Sequence, residues 1–100
     1  MTTTNRDADL VSQLHRMCGE GKPLDEMCIV IWNKLQVEQG DSMSAVMYFI
    51  RAFGLSLADA RLIEASPICG NAAVSVDLVE TRLRPKMLAH IEKTSEKDTG

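Results

Sequence analysis

The sequence predicts an all-α fold, a single domain of about five helices spanning residues 1–100. Apolar residues recur at helical spacing in successive stretches, and glycine or proline punctuates each one. The chain has 100 residues, 45% hydrophobic and 25% charged, which suits one soluble globular domain. With only four aromatics, Leu, Ile, Val, Met and Ala must fill the core. The six methionines suggest a plastic core or an adaptable contact surface, with core filler the favoured reading.

Residues 1–4 are expected to form a loose tail. Asn5 can cap the first helix, with Asp7 and Asp9 in its opening turn. Leu10, Val11, Leu14, Met17 and Cys18 make its apolar stripe, and Gly19 and Gly21 end it. Pro23 suits the first turn of a second helix, beside Asp25 and Glu26. Leu24, Met27, Cys28, Ile31 and Leu35 define the face of this helix, widened by Ile29, Val30 and Trp32. The run MCIVIW would also suit a buried strand; the proline start, the acids after it and the polar continuation NKLQVEQ favour about four turns of helix closed by Gly40. This second helix is expected to be the central element.

Asp41 or Ser42 opens a third helix with the stripe Met43, Val46, Met47, Ile50 and Phe53, flanked by Tyr48 and Phe49. Gly54 stops it. Leu55-Ser56 offers a staple position and an N-cap, with Asp59 three residues past the cap. A short fourth helix, 57–65, ends because Ser66 precedes Pro67. After the loop 67–71, Val76, Val79, Leu83, Met87 and Ile91 are spaced as a fifth helix, supported by an i,i+4 pair between Glu80 and Arg84. Pro85 is expected to kink or split it. The alternation Val74, Val76, Leu78 would also fit a short strand. Residues 94–100 read as a polar tail.

The net charge of −3 gives no general attraction for nucleic acid or anionic membrane. Its distribution is uneven: five acids face two bases from Glu20 to Asp41, whereas Arg82 to Lys93 carries four bases and one acid. No run approaches the ~18 apolar residues that suggest a membrane span. The polar start MTTTNRDADL has no apolar leader core. Cys18, Cys28 and Cys69 form an odd set without a CxxC. These features point to a reducing cytoplasm and free, mostly buried thiols.

His15 and Cys18 stand at i,i+3. The other ligands of a zinc site would have to come from His90, Cys28 or Cys69, which lack paired spacing. No metal or cofactor is therefore expected. Neither a nucleophile–base order nor a phosphate-cradling glycine loop is present, which argues against an enzyme.

The stretch RAFGLSLADARLIEASP, residues 51–67, resembles the phage-repressor type of helix-turn-helix, with Gly54-Leu55-Ser56 as its turn. The resemblance implies DNA reading by the second helix. That helix, however, offers Ser56, Asp59, Arg61 and Glu64, two of them acids, and lacks the residues for bidentate base contacts. Phosphate contacts would have to come from the distant Arg82, Arg84 and Lys86, if the fold brings them close.

The same residues resemble the helical corner in the C-terminal domain of the bacterial ribosomal stalk protein, which recruits translation factors through basic residues. Arg61 falls at one such position and Arg51 near another, while Ala58 stands where that family carries lysine. The resemblance implies a local geometry: Gly54 for the turn, Leu55 and Leu57 packed inward, and Ala60 at a helix crossing.

By elimination the sequence reads as a protein–protein interaction module. Arg51, Asp59, Arg61 and Glu64 are the candidate partner-binding residues. The concrete expectation is a cytoplasmic immunity or antitoxin protein whose acidic helix faces occlude a toxin's basic active site. A DNA-binding regulator and an adaptor in a larger assembly are the alternatives.

Overall fold

Five helices follow in order: α1 (Thr3–Gly19), α2 (Leu24–Leu35), α3 (Ser42–Phe53), α4 (Leu57–Glu64) and α5 (Val76–Thr99), with a 3-10 turn at Pro67–Cys69. The computed structural model describes the backbone of residues 3–99 and the side chains of residues 8–93. No strand occurs among them, so MCIVIW is helical and the alternation after Val74 resolves into the start of α5 at Val76.

Local chemistry sets most helix ends. The Asp41 carboxylate accepts from the Ser44 N–H at 3.0 Å and opens α3. The Ser56 hydroxyl accepts from the Asp59 N–H at 3.1 Å and opens α4. Ser66, buried before Pro67, donates to the Ile63 carbonyl at 2.8 Å and accepts from the Ile68 N–H at 3.2 Å. The α1–α2 turn is tied to α5 by a polar relay. Glu80 accepts from the Leu24 N–H at 3.2 Å and pairs with Arg84 at 3.0 Å, while Arg84 donates to the Lys22 carbonyl at 2.6 Å.

Several boundaries differ from the sequence expectation. α1 runs back to Thr3, so Asn5 lies inside it rather than capping it; nothing in TTTNRD breaks a helix. Of the expected N-terminal tail, residues 1 and 2 lie outside the described residues. α5 continues through 94–99 because EKTSEKDT contains neither glycine nor proline; position 100 lies outside the description. Pro85 sits within α5 without splitting it. α2 closes at Leu35 rather than at Gly40, with Gln36 taking the left-handed conformation at φ 58°. The Val37 N–H then reaches the Trp32 carbonyl at 3.1 Å.

The core draws on every helix: Leu10 and Leu14 from α1, Met27 and Ile31 from α2, Phe49 and Phe53 from α3, Ile63 from α4, and Leu83 and Met87 from α5. The hub is α3, which packs against all four other helices, and not α2. Half of α3 is buried, as Ala45, Val46, Tyr48, Phe49, Ala52 and Phe53. The two alanines let neighbouring helices approach closely, and the rings fill the space between them. α2 buries one face and leaves Ile29 exposed on the other.

Candidate protein-binding surface at the α3–α4 corner

Gly54 ends α3 at φ 63°, with its N–H on the Ile50 carbonyl at 2.8 Å. This left-handed conformation strains any residue with a Cβ. Space is tight as well, because a Cβ here would stand 3.0 Å from Nδ1 of His90 on α5 and the imidazole would have to shift. Leu55 and Ala60 are both buried and fill the two positions of a hydrophobic staple around the Ser56 cap. Gly54 thus forms the turn, and Leu55 and Ala60 pack inward.

Leu57 does not. It is 59% exposed, because it opens α4 about 60° around the helix from Ala60 and a further turn-fraction from Ile63, the two residues that face the core. The expected stripe of α3 is also corrected. Met43 is 70% exposed and Met47 50% exposed, so these methionines are not core filler. The sequence SMSAVMYFIRAF is apolar nearly all round; its aromatic and alanine face wins the core and turns the methionines outward.

These exposed side chains meet on one surface. Met43, Val46 and Met47 from α3 and Leu57 from α4 line an open groove of about 340 Å³. Ser42, Arg61 and Glu64 form its polar border. Arg61 Nε lies 3.3 Å from Glu64 Oε1, and the Ser42 hydroxyl donates to Glu64 Oε2 at 3.5 Å. No signal short of the true helix face could have separated this surface from the core.

The four charged candidates do not act as a set. Arg61 and Glu64 border the groove. Asp59 faces the opposite side of α4, where Lys86 holds it at 2.5 Å and Arg82 stands at 3.9 Å. The Lys86 ammonium holds the Asp59 carboxyl below the usual carboxylate range. Asp59 is therefore an internal anchor between α4 and α5 rather than a group turned to the groove. Arg51 lies over the Tyr48 ring at 5.3 Å.

Below Gly54, an open cleft of about 250 Å³ is walled by Phe53, Leu55, Lys86, His90 and Lys93. His15 hydrogen-bonds the Ala52 carbonyl, and its ring stands 6.0 Å from that of His90. Burial first, then the charges of His15 and Lys93, push the His90 imidazole below its ordinary value. Among the described residues no three His, Cys, Asp or Glu side chains are grouped to hold a metal ion. Cys18 and Cys28 are buried and Cys69 is half-buried, all as free thiols; burial raises the pKa of each. No helix among the described residues is long and apolar enough to cross a membrane. The chain matches no protein-family model, no curated protein and no solved structure.

Proposed function

We propose that this protein is a non-catalytic protein-binding module that receives an amphipathic helix of its partner in the α3–α4 groove. The carrying observation is the exposure of Met43, Met47 and Leu57 side by side. Scattered exposed apolar residues are ordinary, but a contiguous patch with a polar rim is the usual form of an interaction site. Two helices already supply the walls, so the occupant that fits is a third helix with apolar anchors at i, i+3 or i+4. The unbranched, polarizable methionines adapt to such anchors. Arg61 and Glu64 on the rim favour a partner helix bearing both an acid and a base beside its apolar stripe.

Inhibition is the specific form of this reading. An immunity or antitoxin protein would use the groove to seize a helix beside the toxin's active site and block access to it. An adaptor would use the same surface to hold two components together. The regulator alternative has one observation in its favour: Arg82 and Lys86 do lie beside α4. Asp59 takes up part of their charge there, and the outward face of α4 is Leu57, Ala58, Arg61 and Glu64, a poor reader of base edges.

The test is to purify tagged wild-type protein and a Met47→Asp/Leu57→Asp variant from the native cell. A partner retained by the wild type and lost by an equally folded variant supports the proposal. Equal retention by both removes the groove from it.

A further inference from the structure

Arg82, Lys86 and Lys93 fall on one side of α5, and they face away from the groove, across α4 from it. At about 100° per residue the three keep within about a ninth of a turn of one another, and the ridge they form is about 16 Å long. Arg82 and Lys86 keep 63% and 51% of their side chains exposed. Among the residues of α5 whose side chains are described, the acids Asp77, Glu80 and Glu92 lie at least about a third of a turn from Lys86, and Glu80 is taken up by Arg84. The four bases of Arg82 to Lys93 are thereby sorted: Arg84 staples the α1–α2 turn, and the other three form the ridge.

The ridge already holds one carboxylate. Asp59, with a side chain only 16% exposed, rests between Lys86 and Arg82 in the geometry an incoming acid would adopt. We infer that the ridge Arg82, Lys86 and Lys93 is a second interaction surface, which docks an acidic Asp/Glu-rich segment of a partner protein, with Asp59 as the built-in occupant of part of it.

Protein carboxylates fit this surface better than a nucleic acid backbone does. The ridge is short and belongs to a chain of net charge −3 with five acids between Glu20 and Asp41. A long polyanion would extend past the ridge into the field of a net negative chain, whereas a peptide of two or three turns would stay on it. Pro85 and Ala89 interleave with the bases, and of the rings in the adjoining cleft Phe53 is buried and His90 half-buried, which leaves little ring surface for stacking nucleobases. Exposed pairs of this kind are individually weak and screened by salt. The contact would therefore be fast, modest in affinity and additive to one made elsewhere.

The inference is tested by fluorescence anisotropy with a labelled ten-residue oligoglutamate and the full chain at low salt. Saturable binding in the micromolar range is expected, weakened about tenfold in Arg82→Glu/Lys93→Glu and strengthened about threefold in Asp59→Asn. Lys86 is left intact in the double variant so that Asp59 stays anchored, and the single Lys93→Glu variant serves if the double one melts early. Absence of saturation by about 1 mM, indifference to the charge reversals, or no gain in folded Asp59→Asn overturns the inference. A labelled twelve-base-pair duplex is titrated in parallel. Tighter binding of the duplex than of the oligoglutamate also overturns it and reassigns the ridge to nucleic acid.

Discussion

Replacing Gly54 by alanine should cost far more than the same change at Gly40, although both glycines hold a positive φ, 63° and 91° respectively. At Gly40 nothing lies within 4 Å of the added Cβ, so only backbone strain of about 1 kcal/mol is felt. At Gly54 the Cβ meets Nδ1 and Cε1 of His90 at 3.0 and 3.1 Å. The imidazole, half-buried against His15, must give way, and overpacking of this sort adds about 1–3 kcal/mol. The sum is roughly 2–4 kcal/mol. For a domain of this size it lowers Tm by about 10–20 °C, against about 5 °C for Gly40→Ala. Urea denaturation of the two variants measures the difference. Repeating Gly54→Ala in a His90→Ala background should recover most of it as a coupling energy. Equal costs at the two glycines, or no coupling to His90, would refute the claim that the corner is closed against α5.

Three other outcomes follow from the same geometry. The lowered His90 pKa means that the unfolded chain, with its imidazole near the ordinary 6.5, takes the proton first. The contribution of His90 is therefore complete above about pH 6.5 and lost as pH falls from there through the folded value; His90→Gln should flatten that limb in pH-dependent melts. Gln36→Gly should stabilise the domain by about 0.5–1 kcal/mol, since Gln36 ends α2 at φ 58°, and calorimetry that finds destabilisation would show the boundary is misplaced. Thiol titration of native protein should modify Cys69 slowly and Cys18 and Cys28 only on unfolding, because burial raises all three thiols and hides two of them.

The parts of the fold that were legible in the sequence are those decided by neighbours along the chain. Asp41 and Ser56 cap helices because a short polar side chain reaches an N–H three residues on, and Gly54 ends α3 because the left-handed turn favours a residue without a Cβ. Which face of a helix is buried is decided by residues far away in sequence. On α3 the methionines and the aromatics offered two apolar sectors, and only packing against α1, α2, α4 and α5 selects between them. The groove was hidden for that reason: its residues have core chemistry. The charged candidates were visible as residues but not as pairs. Asp59 is an exposed helix acid in sequence and an anchored one in the fold, because Arg82 and Lys86 arrive from more than twenty positions away. Gln36 gave no signal at all, since glutamine rarely adopts the conformation it takes here.

The methionines provide the most direct measurement. Met43 and Met47 line the groove, whereas Met27 and Met87 are fully buried in the core. In protein labelled with ε-13C methionine and mixed with extract of its native cell, the methyl resonances of Met43 and Met47 should shift or broaden while those of Met27 and Met87 stay in place. The same extract should leave Leu57→Asp protein unperturbed. Unchanged Met43 and Met47 signals in wild-type protein, or equal responses from all four methyls, would contradict the assignment of the α3–α4 groove as the partner-binding surface.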